Sequence, residues 1–96
     1  MSPTNKKKLN QIRIKLDMLD NDLLKLIKKR SNLVNEVLKV KVYKKEIIYQ
    51  TRINFILKKI KKKSIQYKID PKITNRIWRN MIWSFIDYEK RNFRKI

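Results

Sequence analysis

Ninety-six residues carry 27 Lys+Arg against 8 Asp+Glu, a net charge of +19, and include no His, Gly or Cys. A chain of this length holds one domain at most, residues 1–96. The absences exclude disulfide scaffolds, thiolate and imidazole zinc sites, His-based triads, Walker and dinucleotide-binding loops, and Asn-Gly hairpins.

The first element is legible from its spacing. Leu9, Ile12, Leu16, Leu19, Leu23 and Leu26 follow alternating steps of three and four, and the seam resumes at Leu33, Val37 and Val40. Ser2 suits the cap and Pro3 the first helical position. A helix from about residue 4 to about 42 is predicted, reaching about 57 Å at 1.5 Å per residue. That exceeds the width of a globule of this size, so the helix lies against another chain or protrudes. Tyr43 to Ile48 reads as a short connection.

A second helix is predicted from about Tyr49 to about Gln66, with Tyr49, Ile53, Ile56 and Ile60 as its apolar stripe. The run Lys58 to Lys63, broken only by Ile60, reads as a solvated outer face. Ile69-Asp70-Pro71 is the clearest boundary: Asp70 suits an N-cap and Pro71 the first helical position. The third helix runs from Pro71 to about Arg94, with the stripe Ile73, Ile77/Trp78, Met81/Ile82, Phe85/Ile86 and Phe93. The fold class is all-α.

Uncharged runs are too short to span a bilayer, and no apolar segment follows Met1-Ser2-Pro3-Thr4 as a secretory signal requires. A soluble cytoplasmic protein is expected. The charge suggests nucleic acid. Yet Lys, Ile and Asn number 20, 15 and 9 while Gly and Ala are absent, the profile of A/T-rich codons whatever the function. Position must therefore decide.

Four polar residues interrupt the apolar faces. Arg30 takes a heptad position between Leu26 and Leu33, and Lys41 lies three turns further on the same face. Arg52 opens the second helix beside Ile53. Glu89 falls seven residues after Ile82 and four after Phe85. An ion pair of Arg30 or Lys41 with Glu89 would be the plain structural outcome. One carboxylate cannot compensate three cations, however, so the missing anion points to a ligand. Arg13 stands about 25 Å from Arg30 along the helix and about 100° around it. In an antiparallel pair of long helices, Arg13 of one chain approaches Arg30 of the other, building two equivalent sites in a C2 dimer.

The pattern Ile12-Arg13, Asp20, Leu23-Leu24, Arg30, Leu33-Val34, Val37, Lys41, then Arg52, Ile69-Asp70-Pro71 and Arg76-Ile77-Trp78-Arg79, resembles the all-helical class of chorismate mutases. The likeness runs over about residues 8 to 90. It implies three helices per chain in an intertwined homodimer. It implies the Claisen rearrangement of chorismate to prephenate, in the route to Phe and Tyr. That reaction needs no cofactor, nucleophile or metal, and its dianionic substrate suits the unbalanced cations.

By this resemblance Arg30 and the partner's Arg13 clamp the two carboxylates. Lys41 donates to the ether oxygen, and Arg52 supports the ring end. Glu89 stands where many relatives carry a Gln that also donates to the ether oxygen, which a Glu does only when protonated. Better activity at mildly acidic pH is expected, flattened by Glu89→Gln. Three positions depart from the family: Ile53 replaces a Glu after the second-helix Arg, Tyr49 an acidic residue, and Phe85 a small hydroxyl residue. The hydroxyl-binding side of the pocket is correspondingly less polar. Isochorismate pyruvate lyases also carry an apolar residue after that Arg, and a mutase of 4-amino-4-deoxychorismate is a further alternative. A silent regulatory module is disfavoured by the joint presence of Arg13, Arg30 and Lys41.

A basic nucleic-acid binder, using Lys58, Lys59, Lys61, Lys62 and Lys63 with the tail Lys90, Arg91, Arg94 and Lys95, is the rival of another class. It lacks a helix-turn-helix turn and an aromatic ladder. Trp78 and Trp83 diverge by more than 100°, so at least one belongs to the core.

Overall fold

Periodicity without helix breakers gives helices, and a computed structural model of the chain has them. The structure describes residues 3–41 and 43–94; Ser2, Val42 and Lys95 fall outside. Helices α1 (Pro3–Val40), α2 (Gln50–Gln66) and α3 (Pro71–Asn92) follow in order, with a short 3₁₀ turn, Lys44–Ile47, between α1 and α2. No strand occurs among the described residues. The expected boundaries agree within about two residues, the usual fraying of helix ends.

The chain divides into two compact units, residues 1–33 and 34–96. The first is the leading part of α1. Its seam residues Ile12, Leu16, Leu19, Leu23 and Leu26 are all more than half exposed. An isolated helix derives little stability from propensity alone, so this apolar face is unsatisfied within the chain.

In the second unit, the turn, α2 and α3 bury Ile47, Ile53, Ile82 and Ile86, with Ile56, Leu57 and Phe93 packed against them. Each buried isoleucine contributes about 1.5–3 kcal/mol relative to exposure. Ile47 arrives through local hydrogen bonding. The Glu46 carboxylate accepts from the Tyr43 N–H at 2.8 Å, and the Glu46 N–H donates to the Tyr43 carbonyl at 3.0 Å. Ser64 and Thr74 add a buried hydroxyl pair between α2 and α3, 2.6 Å apart. The Ser64 hydroxyl also donates to the Ile60 carbonyl of its own helix at 2.6 Å.

Two stripes differ from expectation. Tyr49, read as part of the apolar stripe of α2, sits at its N-cap and is exposed. Ile73 and Ile77 of α3 are exposed, whereas Ile82 and Ile86 are buried. Trp78 is half-buried and Trp83 exposed. The basic run Lys58 to Lys63 faces outward as expected, with Ile60 alone partly covered.

Capping joins α2 to α3. The Ile69 N–H donates to the Ser64 carbonyl at 2.8 Å and the Lys68 N–H to the Ile65 carbonyl at 3.1 Å. This is a Schellman closure, and it requires a left-handed residue, here Lys68 with φ 57°. A side chain there crowds the following carbonyl, at a cost of roughly 1 kcal/mol. Lys68→Gly is therefore expected to stabilise the protein by up to about 1 kcal/mol, read as a higher urea midpoint; a lower midpoint contradicts it. Asp70 then caps α3, its Oδ1 accepting from the Lys72 N–H at 2.9 Å, with Pro71 at the first position.

Candidate active site

The second unit brings two of the expected residues together from opposite ends of its sequence. Lys41 directly follows α1, and its N–H still bonds the Val37 carbonyl at 3.2 Å, which continues the helical direction. Glu89 projects from α3 on the face of Ile82 and Ile86 and is itself buried. The Lys41 Nζ donates to the Glu89 Oε1 at 3.2 Å. The side chains retain 17% and 8% exposure, so the pair stands largely out of water at the margin of the isoleucine core. The ion pair expected between Lys41 and Glu89 forms.

A second bond braces this region. The Tyr88 hydroxyl donates to the Asn35 Oδ1 at 2.7 Å, tying the last turns of α1 to α3 one residue before Glu89. The Asn92 amide donates to the Tyr88 carbonyl at 2.8 Å. Sequence reading missed Tyr88 and Asn35. Their only signal is a polar residue on the inner flank of each helix, which names no partner.

The other expected residues are distributed as follows. Arg52 is exposed on α2, its guanidinium 5.4 Å from the centre of the Phe55 ring. The inward aim expected for Arg52 is not what the chain adopts. Ile53 occupies the inward direction, and neighbouring positions on a helix diverge by about 100°. Tyr49 is exposed at the start of α2, and Phe85 is half-buried one turn before Glu89 on α3. Arg13 and Arg30 stand on the leading part of α1, Arg13 exposed and Arg30 half-buried, about 25 Å apart along the helix. That distance is too long for both to hold one small molecule within one chain.

Among the described residues, no group of three or more His, Cys, Asp or Glu side chains could hold a metal ion, and no helix is long and apolar enough to cross a membrane. What the second unit offers is a buried carboxyl and ammonium against an apolar wall. Such an arrangement can position a small molecule and stabilise charge by fixed donors.

The chain is an all-helical protein with a buried Lys–Glu pair and arginines spaced along a long first helix. The chorismate mutase type II family profile matches residues 12–90, so the chain belongs to that family. The matched span includes Arg13, Arg30, Lys41, Arg52 and Glu89. Searches of curated proteins and of solved structures gave no match.

Proposed function

We propose that this protein is a chorismate mutase, an isomerase that converts chorismate to prephenate in the cytoplasm, on the route to Phe and Tyr. The observation that carries the reading is the buried Lys41–Glu89 pair at 3.2 Å in a chain of this family. The rearrangement breaks an ether C–O bond while a C–C bond forms, and negative charge grows on the ether oxygen. Lys41 donates to that oxygen. Glu89, when protonated, donates to it as well. A preorganised donor of this kind contributes about 3–4 kcal/mol of transition-state stabilisation. Arg30 and the partner's Arg13 clamp the carboxylates bidentately and hold the near-attack conformer. Arg52 closes the ring end, and Tyr49, Ile53 and Phe85 complete the wall.

The site requires a homodimer with residues 1–96 of each chain acting as one domain. The exposed seam of α1 supports this.

Loss of chorismate absorbance on adding the purified protein tests the reading, with isochorismate as the parallel substrate. Turnover of chorismate alone is expected; preference for isochorismate would assign the lyase reaction instead, in keeping with the apolar Ile53 after Arg52. Arg30→Ala is expected to abolish turnover of either.

A substitution tests the role of Glu89. In the ion pair its carboxylate accepts from Lys41, and donation to substrate requires a hydrogen on that group. Glu89→Gln supplies an amide that donates, so kcat/KM should equal or exceed the parental value. A fall of about tenfold or more removes donation by Glu89 from the chemistry.

A further inference from the structure

The cations on α2 and α3 are not scattered evenly. Lys58 and Lys61 on α2 face Lys72 and Arg79 on α3 across a groove of about 400 Å³, floored by the half-buried Leu57 and Pro71. A second hollow of about 340 Å³ shares Lys72, Asn75 and Arg79 and extends over α3 to Arg76 and Asn80. The two form a continuous track, not a closed pocket. No acidic residue lines either hollow.

We propose that this track docks an acidic segment of another protein, one that alternates carboxylates with apolar side chains. Like charges gathered along one groove repel one another, and a bound anion relieves them. Arg79 is set for carboxylates, because its Nε donates to the Asn75 Oδ1 at 3.2 Å and its terminal nitrogens remain directed by that bond. The Leu57–Pro71 floor gives apolar side chains a surface that a bare polyphosphate chain would not use. No aromatic ring lines the track, so bases of a single-stranded nucleic acid would have nothing to stack on.

The track is separate from the surfaces already assigned. Neither Lys41 nor Glu89 lines it. On α3, Lys72, Asn75 and Arg79 lie at least about 100° around the helix from the exposed Ile73 and Ile77, so a dimer that covers those isoleucines leaves the groove between α2 and α3 open, while Arg76 and Asn80 at the far end of the track lie within about 60° of Ile73.

Fluorescence anisotropy of a labelled peptide alternating Glu and Leu, at physiological salt, tests the proposal. A protein of this net charge attracts any polyanion, so position must be separated from charge. The variant Lys58→Gln/Lys61→Gln/Arg79→Gln is compared with Lys6→Gln/Lys7→Gln/Lys8→Gln, exposed residues of α1 that carry the same charge change. All six positions are exposed, so both variants should keep their helicity by circular dichroism.

The groove variant is expected to weaken binding by about tenfold and the control by about twofold or less. Both variants should keep the parental kcat on chorismate. Equal weakening by the two variants overturns the proposal. Equally tight binding of a polyglutamate peptide overturns the part assigned to the apolar floor. Tighter binding of a single-stranded RNA oligomer, lost in the groove variant, overturns the protein partner in favour of nucleic acid.

Discussion

Lys41→Ala should lower kcat/KM for chorismate by about 10²–10³-fold, because it removes a donor aimed where charge develops. The same substitution leaves Glu89 buried without its ammonium, since the carboxylate retains only 8% exposure. Removing one member of such a pair destabilises by about 3 kcal/mol. Unfolding alone would then also abolish activity. The double variant Lys41→Met/Glu89→Leu separates the two. It replaces the pair by apolar side chains of similar size and should recover most of the stability in a urea titration. It should recover none of the activity. A folded double variant with near-parental turnover would show that the pair is a structural brace, like Tyr88 and Asn35 beside it.

The second large effect concerns the origin of the two arginines. Arg13→Ala and Arg30→Ala should each be inactive as purified homodimers. When the two are unfolded and refolded together, half of the dimers are mixed. Each mixed dimer has one site with both arginines intact, from Arg30 of one chain and Arg13 of the other. About a quarter of the parental activity should return. An inactive mixture, with mixed dimers present by mass spectrometry, would place both arginines in a single chain. The 25 Å between them along α1 argues against that arrangement.

These two experiments bear on features that differ in how far the linear sequence discloses them. The helices are disclosed almost completely. A three-four spacing from Leu9 to Leu26 admits no other regular structure, and Asp70-Pro71 marks a start that the Asp70 carboxylate then makes by bonding the Lys72 N–H. The left-handed residue ahead of it was not legible. Closures of this kind usually carry Gly, and in a chain without any Gly the position falls to Lys68 and looks like one more cation.

Ile47 was equally hidden. It enters the core from a four-residue 3₁₀ turn, too short to show a period. Arg52 and Ile53 show what periodicity does settle. Ile53 shares the stripe of Ile56 and Ile60 and is buried with Ile82 and Ile86, whereas Arg52, about 100° away, is exposed against its expected inward aim.

What the sequence by itself determined was local: an all-helical chain, its boundaries, and a set of charged residues breaking apolar faces. Those follow from interactions among residues three and four apart, which any reader of the spacing can count. What only the tertiary structure decided was pairing across distance. Lys41 and Glu89 lie 48 residues apart and meet because the turn at Lys44–Ile47 and the closure at Lys68 bring α3 beside the end of α1. Helical phase alone placed Lys41 on an apolar face and named no partner for it. The path of α3 past Lys41 is settled by the burial of four isoleucines, which no local spacing records.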